Sequence, residues 1–403
     1  MTLEIRAVEP GEFEDLRRAM GLVFGSDPPQ GDSRFARVLP LDRTRCLFDN
    51  GQIVGTSGAF NLTMTVPGAQ IPCGGTVGVA VLPTHRRRGL LRQMMRAHLD
   101  DVREHEEPIA ALWASDSAIY GRFGYGCASI CHDIEIDVDH ASWHRLAPEP
   151  GRARLIDRAQ AFELAPPLYD RLRALIPGFF DRTPEWWEDR SLRDAEVYRD
   201  GGTALRYVVV DGDSGIDGFA TYRTKPRWEL HGAGRVVVKD LFAVTPEAWS
   251  GLWSLIINQD LITTVETELR PTWDPVFDLL AGTRRAKATR LDALWVRLMD
   301  IPAALSERSY SAPIDVVLAV SDPLGDVSGS YRLRADTDGA ECVATSDAPS
   351  VWLDLEDLSS GYLGHARFRE LARSDRVVGD APSIAALDTA FTWDPGPWCP
   401  EIF

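Results

Sequence analysis

The chain has 403 residues, which at about 150 per domain leaves room for two or three domains and more than one hydrophobic core. With 44% hydrophobic and 26% charged residues it has the make-up of an ordinary globular protein, which excludes long disordered or low-complexity stretches. Sixty acidic residues against 43 basic ones give a formal charge of −17, so the bulk surface repels nucleic acid and anionic membrane, and an anionic ligand requires a local exception.

The start, Met1-Thr2-Leu3-Glu4-Ile5-Arg6, lacks the basic and apolar regions of a signal peptide, and the longest apolar runs are too short to cross a bilayer, so a cytoplasmic location is expected. Six scattered cysteines (Cys46, Cys73, Cys127, Cys131, Cys342 and Cys399) read as reduced, mostly buried thiols. The eight histidines form no HExxH group, so no metal is expected.

In chain order, Leu3 to Val8 reads as a strand and Glu12 to Phe24 as a helix. Arg45 to Val66 with Ile71 to Val81 reads as an antiparallel meander turning at Asn50-Gly51 and Pro67-Gly68. Val77 to Leu82 then runs through Pro83-Thr84 into Arg86-Arg87-Arg88-Gly89, after which Leu90, Leu91, Met94, Met95, Leu99 and Val102 recur at helical spacing. A strand over Ile109 to Ala114, a short helix over Ser115 to Phe123 and a last strand over Ser129 to Val138 complete this stretch.

The pattern then repeats. Arg154 to Ile156, a helix over Ala159 to Leu175, a hairpin around Asp211-Gly212-Asp213, a strand over Arg235 to Val244, a helix over Pro246 to Ile257 and a strand over Leu261 to Thr267 follow the same order. Where the first copy has its basic turn, the second reads Thr245-Pro246-Glu247-Ala248, without Arg or Gly, so a duplicate would have lost its anion site. Beyond about Met299, short strands with Asp/Gly/Ser turns and then helical segments mark an α+β module of about a hundred residues. The tail, Trp393 to Phe403, is rich in aromatic and apolar residues rather than polar ones and is expected to dock.

Chemistry concentrates at Arg86 to Arg92, with four arginines in seven residues around Gly89. Unsatisfied N–H groups at a helix start, the helix dipole, a glycine that lets a ligand approach and forked guanidinium donors together suit a pyrophosphate. A bulge or splay at Val79-Ala80-Val81 would leave backbone N–H groups free for an acyl carbonyl and an extended pantetheine arm.

The segment Arg86-Arg87-Arg88-Gly89-Leu90-Leu91 after Val79-Ala80-Val81 resembles the acetyl-CoA signature of the GCN5-related N-acetyltransferase (GNAT) superfamily. Together with Pro83-Thr84-His85 before it and Ile119-Tyr120-Gly121-Arg122-Phe123-Gly124-Tyr125-Gly126 beyond, it resembles the enhanced intracellular survival (Eis) family; Leu91 replaces the Gly or Ala of many GNAT members but is compatible with that subgroup. The resemblance implies an α+β fold: a catalytic GNAT domain over 1–145, a degenerate second one over 146–298 and a sterol-carrier-protein-like domain over 299–403, assembled as a homo-hexamer. It implies acetyl-CoA as cosubstrate, held by Val79, Ala80 and Val81, by Arg87, Arg88, Gly89, Leu90, Leu91 and Arg92, and by Ser115 and Asp116. Tyr120 matches the family's general acid and the terminal carboxylate, here of Phe403, its general base, with Tyr125 structural.

Acyl transfer to an amine needs a polarised carbonyl, a deprotonated amine and a protonated leaving thiolate. A phenol with a reference pKa of about 10 and a terminal carboxylate of about 3.5 can take the two proton-transfer roles once their surroundings tune them. An acidic enzyme suits a polycationic amine such as an aminoglycoside, a polyamine or a lysine side chain. Asp27 and Glu401 are the candidate amine-binding residues, although Ile402 separates Glu401 from the final aromatic where the family often has an acidic neighbour. The rival readings are a catalytically silent acyl-CoA- or lipid-binding protein and an oligomeric scaffold; Tyr120, the basic turn and the terminal Phe403 argue against catalytic silence.

Overall fold

The computed structural model describes residues 3–27, 34–144, 152–228 and 232–403. The chain divides into two compact units, one of Met1–Ser129, Asp292–Pro397 and Ile402–Phe403, the other of Ile130–Leu291 and Trp398–Glu401.

The first unit holds two sheets. Strands β1 (Leu3–Arg6), β2 (Cys46–Asp49), β3 (Gln52–Val66), β4 (Ala69–Val81), β5 (Ile109–Trp113), β6 (Gly126–Cys127) and β14 (Leu294–Leu298) form a seven-stranded sheet in the order β1-β2-β3-β4-β5-β14-β6. The expected meander is present as β2, β3 and β4, all antiparallel, and Asn50 and Gly51 both take positive φ, as the two-residue turn between β2 and β3 demands. β4 and β5 run parallel but pair only over Cys73–Gly75 and Ile109–Ala111, so beyond Gly75 the two strands part. The β3 register slips where Thr56 faces Ala80 and Gly58 faces Val77, placing an irregularity in β4 within its parted end. The helix Leu90–Glu104 buries Leu90, Met94, Met95, Leu99 and Val102 against this sheet.

The second sheet of this unit comprises β15 (Ile314–Ser321), β16 (Gly329–Ala335), β17 (Ala340–Ala344), β18 (Val351–Asp354) and β19 (Val377–Gly379), ordered β17-β16-β15-β18-β19. The helix Leu355–Gly361 packs on β6 and β14, so this region forms part of the wall around the first sheet.

The second unit is built on β7 (Ile130–Asp137), β8 (Ala153–Ile156), β9 (Arg206–Gly212), β10 (Gly215–Lys225), β11 (Gly234–Ala243), β12 (Ile262–Arg270) and β13 (Ala286–Asp292), in the order β13-β7-β12-β11-β10-β9-β8. β11 and β12 are parallel, as β4 and β5 are, and the helix Pro246–Ile257 follows β11. Thr245 caps that helix through Oγ1, which accepts from the Ala248 amide at 3.2 Å, and Glu247 occupies its first turn. The strand expected over 129–138 to complete the first stretch pairs instead with β12 in this second sheet, while β14 takes the position beside β5. Alternation of apolar residues marks a strand; it does not name the partner.

Candidate active site

A cleft of about 1070 Å³ opens in the first unit where β4 and β5 separate. Its walls include Val79, Ala80 and Val81 from the end of β4, Arg86, Arg87, Gly89, Leu91 and Arg92 from the turn and helix start, and Ser115, Asp116 and Tyr120 beyond β5. Three segments separate in sequence thus meet around one space.

The basic turn is backbone-strained in a way that suits an anion. Arg87 has φ +62° and Gly89 φ +75°, left-handed conformations that cost a non-glycine residue about 1–2 kcal/mol but turn successive amides toward one side. Nothing stands within 4 Å of where a Cβ on Gly89 would lie, so a bulky ligand can approach the N-terminus of Leu90–Glu104 there. Arg86 Nε donates to the Val81 carbonyl at 3.1 Å and Arg88 Nη2 to the Thr84 carbonyl at 3.1 Å, which brace the turn. Arg87 and Arg92 are exposed and have no acidic partner among the described residues. Two expected contacts lie elsewhere: the Leu90 side chain is buried against Leu47 and Val54, and Arg88 is outside the lining of the cleft. Leu90 therefore faces the core, leaving only its backbone to the turn.

Tyr120 ends the short helix Ser117–Tyr120, which Asp116 caps by accepting from the Ala118 amide at 3.0 Å. That engagement spends one carboxylate oxygen of Asp116 on its own helix. The Tyr120 ring is buried in a cluster with Met95, Leu99, Leu112 and Phe123 while still bordering the cleft. Burial raises the pKa of its phenol above the ordinary value, against a hydrogen bond to Ser115 that lowers it, so the group is protonated at neutral pH.

Tyr125 has a different environment. It is fully buried, its hydroxyl lies 2.9 Å from Thr76 Oγ1, and Thr76 Oγ1 lies 2.8 Å from His98 Nε2. It borders no part of the cleft.

The three remaining candidates are dispersed. Phe403 is buried in the first unit, its ring 6.4 Å edge-on from Phe60, whose strand partner Gly75 is the last β4 residue paired with β5. Glu401 belongs to the second unit, where Oε1 accepts from Arg182 Nε at 2.6 Å and Oε2 from Trp186 Nε1 at 2.8 Å. Both its oxygens are engaged as an anchor for the tail, together with Trp398, whose indole donates to the Leu269 carbonyl at 2.7 Å. Asp27 is exposed and is not part of the cleft lining, which ends in this region at Val23 and Phe24.

Several lining residues were not anticipated. Ile119, Arg122 and Phe123 adjoin Tyr120 in sequence and could have been included by proximity, and Val23 and Phe24 end an otherwise ordinary amphipathic helix. Pro323, some two hundred residues away in sequence, carries no local signal at all. Among the described residues no group of three His, Cys, Asp or Glu side chains is arranged to hold a metal ion, and no helix is long and apolar enough to cross a membrane.

Comparison with known proteins agrees with this geometry. Residues 4–128 and 178–298 each match a GNAT acetyltransferase domain, and residues 301–400 match a sterol carrier protein domain. The chain is 37% identical, over the full length of both, to an uncharacterised N-acetyltransferase of Streptomyces avermitilis. It is 34% identical to the N-acetyltransferase Eis of Mycobacterium bovis BCG, covering 91% of this chain and 90% of that protein. The crystal structure of Eis1 from Mycobacterium abscessus superposes with a TM-score of 0.86 at 29% identity, over 99% of this chain and all of the other. Sequence, domain content and fold agree, and the chain is an acetyltransferase that belongs to the Eis family of GNAT N-acetyltransferases.

Proposed function

We propose that the protein transfers the acetyl group of acetyl-CoA to a primary amine of a polycationic acceptor, an aminoglycoside-like compound, a polyamine or a lysine side chain, by direct attack. The observation that carries this reading is the cleft in which a strained arginine turn, a strand end parted from β5 and a buried, protonated tyrosine converge. Arg87 and Arg92 carry the charge that meets the pyrophosphate, with the amides of Gly89, Leu90 and Leu91 behind them and Arg88 bracing the turn. The backbone of Val79, Ala80 and Val81, free of β5 on one side, aligns the pantetheine arm and receives the acyl oxygen. Ser115 and Asp116 complete the cofactor side, Ser115 also through its hydrogen bond to Tyr120.

Tyr120 then donates its proton to the departing thiolate, and the Phe403 carboxylate accepts the proton of the amine. The burial of Phe403 beside Phe60, level with the point where β4 and β5 part, supports that second role. The net charge of −17 draws cations toward the surface, to which the exposed Asp27 contributes, while Glu401 serves the amine indirectly by holding the tail. In this reading chemistry resides in 1–145, the 146–298 domain is degenerate, and 299–403 delivers the base. The protein works in the cytoplasm as a homo-hexamer, and its mostly buried cysteines accord with a reducing compartment.

Thiol release from acetyl-CoA, measured against a panel of polyamines, aminoglycosides and lysine peptides, tests the proposal. Release that depends on the added amine is expected. Tight acetyl-CoA binding with no release for any amine would favour a silent acyl-CoA- or lipid-binding protein.

A further inference from the structure

Arg297 lies on β14, the strand between β5 and the edge strand β6 of the first sheet, and is fully buried. Its guanidinium grips the carboxylate of Asp322 through both terminal nitrogens, at 3.1 and 2.9 Å, and Asp322 is equally buried. A buried ion pair in an apolar sheet is not a source of stability by itself, since desolvation offsets most of the attraction. Its retention asks for another reason, and its remaining hydrogen bonds supply one.

Nη1 of Arg297 also donates to the Phe123 carbonyl at 2.7 Å. Phe123 closes the turn Gly121–Phe123 that directly follows Tyr120, and the next residue, Gly124, has φ +74°. A Cβ on Gly124 would come within 2.1 Å of Nη1, so the arginine lies flush against the backbone of the turn. Ser359 Oγ donates to the Gly124 carbonyl at 3.3 Å from the other side, and a Cβ on Gly121 would meet the Glu356 carboxylate at 2.4 Å. The turn after Tyr120 is therefore held by residues from β14 and from the region beyond it, in addition to its own Arg122, whose Nη2 donates to the Ala118 carbonyl at 3.3 Å.

Asp322 fixes a second segment. Its carboxylate accepts from the amides of Leu324 at 3.1 Å, Asp326 at 3.0 Å and Val327 at 3.3 Å, folding a tight loop that includes the cleft residue Pro323. That loop is tied in turn to the helix behind the arginine turn, through Arg96 Nη2 on the Leu324 carbonyl at 3.0 Å.

We propose that Arg297 and Asp322 are positioning residues for acetyl transfer, locking the turn that carries Tyr120 and the Pro323 wall of the cleft to each other. The inference rests on the reading of Tyr120 as the general acid. Neither residue lines the cleft; they act through the Phe123 carbonyl and the loop amides. A displacement of the phenol by about 1 Å is enough to slow transfer on the order of 10²-fold.

The test uses single-turnover transfer from acetyl-CoA to a polyamine in four proteins: wild type, Arg297→Lys, Tyr120→Phe and the double variant. Arg297→Lys keeps the charge but lacks the fork that holds Asp322 and Phe123 together. It should slow transfer about tenfold or more while the dissociation constant for CoA changes by less than about threefold, and it should have no further effect once Tyr120 is Phe. An equal loss in both backgrounds would mean a general structural effect and overturn the proposal, as would unchanged transfer in Arg297→Lys. Tyr120→Phe with wild-type transfer would instead remove the general-acid reading itself, so the two failures are distinguishable. Where lysine compromises folding, the apolar pair Arg297→Met with Asp322→Leu fills the same space without a lone buried charge. It should remain folded, with a midpoint lowered by the loss of the Leu324, Asp326 and Val327 amide bonds to Asp322, while transfer falls; wild-type transfer in this folded variant contradicts the proposal.

Discussion

The ring of Phe403, the last residue of the sequence, meets Phe60 edge to face at 6.4 Å, and Phe60 pairs across the sheet with Gly75, where β4 and β5 make their final contact. A chain end is usually the most mobile part of a protein; here its side chain is buried. Adding a short Gly-Ser extension keeps the phenyl ring but removes the terminal charge from that position. Turnover should fall on the order of 10²-fold, with acetyl-CoA binding retained. Phe403→Tyr, which keeps ring and carboxylate, should remain active, and steady-state kinetics on the three proteins checks both statements.

Tyr120 and Tyr125 sit edge to face with centroids 6.1 Å apart, yet only the first borders the cleft. Tyr125→Phe deletes the hydrogen bond to Thr76 and nothing on the cleft wall. It should cost about 1 kcal/mol of stability in denaturant unfolding and leave turnover within about twofold.

For the cofactor side, Arg87→Ala removes an exposed guanidinium from the strained turn. The dissociation constant for acetyl-CoA should rise about tenfold at low salt, and the difference from wild type should shrink as salt screens the pair. Equal affinities at low ionic strength would remove Arg87 from the pyrophosphate site.

His98 provides a pH prediction. Burial, with the nearby Arg43 and Arg45 charges, pushes its pKa down to about 3, so it is neutral in the folded chain across the range in which an unfolded histidine takes up a proton near pH 6.5. The unfolded state then binds more protons, and stability must fall as pH drops from about 6.5 toward 3, by up to about 1.4 kcal/mol per pH unit. Above pH 6.5 the group contributes no slope. His98→Asn should flatten this acid limb in urea titrations at pH 7 and pH 4.5, and an unchanged limb would assign the acid sensitivity to other groups.

The parts of this molecule that local rules govern were legible from the residues. Asn50-Gly51 demanded a tight hairpin, the spacing from Leu90 to Val102 demanded a buried helical face, and the clustering of Arg86 to Arg92 stood out against an acidic chain. The same helical spacing also held the information that Leu90 faces the core rather than the ligand. What could not be read were choices of partner made over long separations. Leu294–Leu298 is five residues long and inserts between β5 and β6, while Ile130–Asp137 leaves the stretch that precedes it for another sheet. Arg297, Asp322 and Pro323 reach the neighbourhood of Tyr120 only because of that insertion. Glu401 illustrates the converse: its place near the chain end suggested substrate, whereas Arg182 and Trp186, more than two hundred residues earlier, claim both of its oxygens.

Single-turnover transfer by Tyr120→Phe, with acetyl-CoA bound and a polyamine added, measures the proposed chemistry most directly. The variant loses one hydroxyl at the cleft wall and none of the residues of the arginine turn. Acetyl-CoA should bind as tightly as to the wild type while acetylated amine appears on the order of 10²-fold more slowly. Transfer at the wild-type rate would contradict the assignment of the proton donor.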